Sequence, residues 1–226
     1  MLLQPFAQNI TLRPAIADDV AWAAPLFFSA GPAVFSYIFA APFDESKAIF
    51  SQAFAYPQHA LSYEHAQIIE VLNQPAGVMI SYPGFLKHQA DEKVHQVMAR
   101  ILPLRKLPKI LVNLADLTRI KQDISAQDYY ILGLSVMPEF QNQGLGTYLL
   151  AQAELQAHAY SCQAISLDVT YTNTSARALF ERLGYRVMCS KSTHRFEQLT
   201  RSGGLHRMVK PLEASRHKEA NGHKLS

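Results

Sequence analysis

Two cysteines in 226 residues, Cys162 and Cys189, are too few and too far apart for a disulfide framework or a thiolate zinc site. Charge is scarce as well. Only 17% of residues are Asp, Glu, Lys or Arg, and 21 basic against 18 acidic side chains leave a net +3. So mild and dispersed an excess is not the footprint of a nucleic-acid binder, although it suits a small anionic ligand. Neither G-x-x-x-x-G-K-[ST] nor G-x-G-x-x-G occurs, which removes two nucleotide cradles. His158, His194 and His206 share no ligand spacing, so no metal is expected. The first ten residues lack a basic stretch followed by an apolar run and a small-residue cleavage site. No secretory signal is therefore read there, and a cytoplasmic setting is the expectation. Residues 20–43 carry no charge and are long enough to cross a bilayer of about 30 Å, yet Pro25, Gly31-Pro32 and Pro42 interrupt them. Two short buried helices are expected instead of a membrane span.

What the chain has is apolar material, 49% of its residues, enough for one sizeable core. Alternation predicts a strand over residues 10–13, followed by a helix that opens near Asp18-Asp19 and runs to about Phe28. Residues 44–55 read as an amphipathic helix, and residues 66–72 with 76–81 as a hairpin around Asn73-Gln74-Pro75. Residues 84–128 break the rhythm, with helical periodicity over 95–102 and 110–120, and are expected to be a helical insertion. Strands at 130–136 and 164–169 flank a helix from Gly144 to about Tyr160, making a β-α-β unit. In the next helix Ala176, Leu179, Phe180 and Leu183 share one face, residues 173–175 offer N-cap side chains, and Gly184 suits its left-handed end. Strands at 185–190 and 205–212 close an α/β domain over residues 1–212. Residues 213–226, polar and without aromatics, are expected to form a frayed tail.

One constellation carries chemistry. The strand ending Leu134-Ser135-Val136 leads through Pro138 into Gln141-Asn142-Gln143-Gly144-Leu145-Gly146-Thr147, where a helix begins. A helix's first turn presents unpaired N–H groups and about half a positive charge, and glycines let a phosphate approach the backbone. The pattern Gln141-x-x-Gly144-x-Gly146 after Val136-x-Pro138 resembles the acetyl-CoA pyrophosphate loop of the GNAT superfamily of N-acetyltransferases. Downstream, Asn173-x-x-Ala176-x-x-Leu179-Phe180-x-x-x-Gly184-Tyr185 is similar to a second segment of that superfamily. The resemblance is strong over residues 129–190, weaker over the first strand and helix, and absent from the insertion and tail.

That resemblance implies a mixed, mostly antiparallel sheet, splayed between its two central strands and covered by helices on both faces. It implies acetyl-CoA as co-substrate, its pantetheine arm beside Leu134, Ser135 and Val136. The pyrophosphate would be held over residues 142–147 (Asn142, Gln143, Gly144, Leu145, Gly146, Thr147), with Gln141 shaping the loop and Asn173 touching the cofactor. The implied reaction is direct acetyl transfer to a primary amine, and such an amine must first lose a proton. Alternation turns Asp168 away from Ile165, Leu167 and Val169, and it lies where some superfamily members place a glutamate proposed as base. An Arg-paired carboxylate is the competing reading. Phe180 stands where a tyrosine often protonates the leaving thiolate, so departure without an acid, Tyr171, Tyr185 and water all stay open. Phe180 itself is read as cofactor-facing or as core. The acceptor is an amine on a small molecule, peptide or protein, with no nucleic acid; a homodimer is one option. A non-catalytic acyl-CoA-binding domain and a transferase for longer acyl chains are the alternatives. Among the rings over residues 27–43, some are placed to line an apolar acceptor site that the insertion would close.

Overall fold

A computed structural model describes residues 10–102 and 104–213; the tail expected from residue 213 onward therefore lies almost wholly outside the described residues. Seven strands form one sheet: β1 (Ile10–Pro14), β2 (Ala66–Val71), β3 (Gln74–Pro83), β4 (Asp128–Val136), β5 (Ala164–Thr170), β6 (Arg186–Lys191) and β7 (Leu205–Pro211). Their spatial order is β1-β2-β3-β4-β5-β7-β6. Every neighbouring pair is antiparallel except β4 and β5, which run parallel. The α/β class, the mostly antiparallel pairing and the splay are those expected.

Strand alternation sends successive side chains to opposite faces, and helices cover both. On one face, Ile68, Val78, Ile80 and Tyr130 pack under α1 (Val20–Phe28), α2 (Pro32–Phe39), α3 (Phe43–Ala55), α4 (Gly84–Ile101) and α5 (Leu107–Ile120). Phe27, Phe28, Phe50 and Phe54 are fully buried there. Each such ring removed from water contributes roughly 1.5–3 kcal/mol. On the other face, Ile69, Met79, Tyr129 and Ile131, one residue out of phase with the first set, meet α6 (Leu145–Ala159) and α7 (Thr174–Arg182). No described helix is long and apolar enough to cross a membrane. The uncharged stretch folds as two helices bent by 100° at Ser29–Gly31, the break its Gly-Pro pair foretells.

Several boundaries differ from expectation. The hairpin turns on Leu72 and Asn73, both at positive φ, and Val71 pairs Gln74. Pro75 therefore enters β3, opposite Glu70 and beside a bulge, where its missing N–H costs the ladder little. Helix α4 starts at Gly84, eleven residues before its clearest periodicity, because β3 runs straight into it. There is no room at Gly84 for a side chain, since a Cβ would sit 2.0 Å from the Ser125 carbonyl oxygen. A further helix, α8 (His194–Thr200), was not foreseen. It is too short to show a period, and Thr193 caps it by accepting the Phe196 N–H at 3.1 Å.

A buried polar cluster locks α5 onto α2 and α8. The Tyr37 hydroxyl donates to Asp116 at 2.6 Å, Thr193 donates to the same carboxylate oxygen at 2.5 Å, and Asn113 donates to the Tyr37 carbonyl at 2.6 Å. Arg195 completes it by donating to Asn113 Oδ1 at 2.7 Å. With its groups satisfied, the cluster rigidifies the wall that α5 forms over the sheet.

Candidate active site

The parallel pairing of β4 and β5 is short. It spans Asp128↔Ala164 to Ile131↔Leu167 and then stops, although both strands continue. Opposite the stop, β4 carries a bulge: Ile80 pairs Gly133 and Ser81 pairs Ile131, leaving Leu132 as the extra residue. A bulge bends its strand and deepens the local twist, which swings residues 132–136 away from β5. Their β5-facing edge thus carries no strand among the described residues. A cavity of about 150 Å³ occupies the splay, lined by Gly133 and Leu134 of β4, Leu167 to Thr170 of β5, and Asn173, Ala176, Leu179 and Phe180 around α7.

The loop after β4 leads to the mouth of this cavity. Gln141 Nε2 donates to the Val136 carbonyl at 3.0 Å and Gln143 Nε2 to the Glu139 carbonyl at 2.9 Å, so two side-chain amides fold the loop onto itself. Asn142 takes the left-handed conformation at φ 60°, and Gly144, at φ 84°, is the N-cap of α6. Glycine has no side chain with which to cap, so the first-turn N–H groups of Leu145, Gly146 and Thr147 keep their donors for something else. A Cβ on Gly146 would lie 3.5 Å from Leu179 and 3.9 Å from Leu134, both of which line the cavity. Open strand edge and uncapped helix start are therefore adjacent.

The other expected positions fall around the same cleft. Ser135 Oγ sits 3.0 Å from Ser29 Oγ, linking β4 to α1. Asn173 caps α7, its Oδ1 accepting from the Ala176 N–H at 3.3 Å. Phe180 is buried, its ring 5.9 Å from that of Tyr185, while also lining the cavity. Neither cysteine lines the cleft. Cys162 packs beneath α6, where burial pushes its thiol up and away from the nucleophilic thiolate.

Asp168, read from sequence as a base or as an Arg-paired carboxylate, meets an arginine here. It does point away from Ile165, Leu167 and Val169, as alternation demands, but Arg207 grips both its oxygens at 2.7 and 2.9 Å. The Tyr130 hydroxyl adds a third donor at 3.0 Å. The Arg-paired reading is the one the geometry fits. Arg207 and Tyr130 were missed from sequence because they lie 39 and 38 residues from Asp168; the β5–β7 register places Arg207 directly across from it. Burial, with the Asp168 charge adding, pushes the Tyr130 phenol well above its ordinary range. At neutral pH it is a fixed donor.

A second cavity, of about 440 Å³, lies on the helical side of β4. Gly31, Val34, Lys121 and Tyr130 line both cavities, so the two share a wall beside Asp168. The Tyr130 ring holds that wall, with Lys121 Nζ 5.8 Å and the Arg207 guanidinium 5.5 Å from its centroid.

Residues 108–185 match the model of the Acetyltransferase (GNAT) family, a stretch that spans nearly all of α5, the bulged strand, the loop, α6 and α7. Over that third of its length the chain is similar to the GNAT family. Its fold aligns with an N-acetyltransferase of Staphylococcus aureus at 17% identity, over 88% of this chain and 99% of that one, with a TM-score of 0.64. A second acetyltransferase structure aligns at 21% identity over 90% and 100% of the two chains, with a TM-score of 0.61. An uncharacterised Bacillus subtilis protein, YdhI, is 39% identical over 67 residues, 30% of this chain and 41% of that protein. The chain thus spans under half the length of that curated relative.

Proposed function

We propose that the chain transfers an acetyl group from acetyl-CoA to a primary amine within a ternary complex. One observation carries the reading: an unpaired stretch of β4 edge adjoins an uncapped, glycine-started helix. The exposed backbone of residues 132–136 offers an extended arm the hydrogen bonds of an added strand. The N–H groups of residues 145–147 and the helix dipole favour a pyrophosphate's charge. Gln141 keeps the loop in the shape that aims them, and Asn173 and Phe180 flank the arm's path from α7. When bound, acetyl-CoA supplies the activated thioester.

In the overall reaction the N–C bond forms, the C–S bond breaks, an amine proton passes to solvent and CoA departs. Asp168, held at both oxygens by Arg207, accepts from Tyr130 and so fixes the Tyr130 wall beside the cleft. It is a positioning residue on this account. No covalent acyl-enzyme is needed, since neither thiol reaches the cleft.

The test is amine-dependent release of CoA by the purified chain, with mass spectrometry of the protein during turnover. Release only when amine is present, with no mass increase of an acetyl group on the protein, is expected. An acetylated side chain that accumulates and decays would refute direct transfer. CoA binding without release by any amine would favour a binding-only domain.

A further inference from the structure

We propose that the acceptor is a primary amine on an uncharged apolar body, an alkyl- or arylalkylamine, and that the cavity beneath α4 and α5 receives that body. The inference rests on the acetyl-transfer reading and names its substrate class. At about 440 Å³ the cavity falls within the roughly 300–1,000 Å³ of small-ligand sites. Phe35, Phe39, Met98, Ile110, Leu114 and Leu132 line it, from α2, α4, α5 and β4. A polar or peptide acceptor would there exchange water for a mostly apolar lining.

Position agrees with composition. The wall this cavity shares with the splay, at Gly31, Val34, Lys121 and Tyr130, is its boundary with the cleft that abuts the β4 edge. A body seated under α5 directs its amine toward Tyr130 and Asp168. Among the described residues that line the larger cavity, Asp123 is the one carboxylate. A second ammonium seated among the apolar side chains would lose its hydration, so diamines and polyamines are disfavoured substrates. The depth of the cavity comes from α4 and α5, elements that carry no part of the cofactor cleft apart from Lys121 at the end of α5.

The experiment compares CoA release from acetyl-CoA by the full chain with propylamine, hexylamine, phenethylamine, 1,6-diaminohexane, spermidine and an N-terminally free peptide. Each buried methylene is expected to raise kcat/KM about fourfold. Hexylamine should therefore exceed propylamine at least tenfold and 1,6-diaminohexane at least tenfold. Leu114→Trp, which fills the cavity, should lower the hexylamine-to-propylamine ratio toward one while leaving the thermal shift caused by acetyl-CoA intact, a check that the variant folds. A flat or inverted chain-length series, or preference for diamine, spermidine or peptide, overturns the acceptor assignment. So does acetyl-CoA stabilisation with no release by any amine, which leaves cofactor binding standing. Absence of both stabilisation and release removes the acetyl-transfer reading itself.

Discussion

At the scale of single residues, burial decides which polar groups matter most. Asp168 and Arg207, 9% and 5% exposed as side chains, form an ion pair that would be strongly destabilising to break, because the survivor keeps its desolvation cost. Asp168→Asn is expected to cost about 3 kcal/mol and to lower the melting temperature by roughly 6–12 °C. Adding Arg207→Met should recover much of that loss, since no buried charge is then left alone. Calorimetry of the single and double variants checks this; an unchanged melting temperature for Asp168→Asn would show that the clamp is not what holds this wall. His59 makes a second case. It is fully buried, its Nε2 lies 2.9 Å from the Ala53 carbonyl, and its Nδ1 accepts from the Leu61 N–H at 3.2 Å. Burial lowers its pKa below the usual 6.5. The unfolded chain then takes up a proton before the folded chain does, so stability is fully present above about pH 6.5 and falls as pH drops from there toward the folded value. Melting curves from pH 8 to 5 should show that fall, and His59→Gln, which keeps a donor for Ala53, should flatten it. An identical pH profile in both proteins would contradict the assignment.

At the scale of elements, the legible parts were those specified locally. Gln141, Gly144 and Asn173 act within five residues of themselves, folding a loop, starting a helix and capping one, and each does so in the structure. The splay, by contrast, was expected only through family resemblance. Its physical origin, the Leu132 bulge opposite the end of the β4–β5 pairing, depends on register between strands about fifty residues apart, which periodicity does not encode. Likewise Pro75 read as turn because proline suits turns, whereas the adjacent bulge made room for it in β3. The start of α6 carries its own prediction. Gly144→Asp puts a good N-cap side chain on the helix, offsetting the strain of φ 84°, but places a carboxylate where the pyrophosphate would sit. The variant should melt within a few degrees of the parent while acetyl-CoA affinity in a calorimetric titration falls at least tenfold. Unchanged affinity would move the anion site away from this helix.

At the scale of the whole molecule, a seven-stranded sheet is opened at its centre and roofed on one side by five helices. α4 and α5 fill the stretch expected to be an insertion outside the family resemblance, although the family match begins at residue 108, inside α5. The core was legible as a quantity of apolar residues, and its division into two faces follows from strand alternation. Which face would hold a large cavity was not legible, because it depends on how far the α5 wall is held off the sheet by the Tyr37, Asn113, Asp116, Thr193 and Arg195 cluster. The central claim is that the opened centre binds acetyl-CoA. The most direct measurement is thermal unfolding with and without acetyl-CoA at about 100 times its dissociation constant. Linkage there predicts near 2.7 kcal/mol of stabilisation, roughly 5–10 °C for a chain of this size, and CoA itself should reproduce most of it. No shift with acetyl-CoA, CoA or any longer acyl-CoA would contradict the account, leaving only a likeness of fold and a cleft that holds some other ligand.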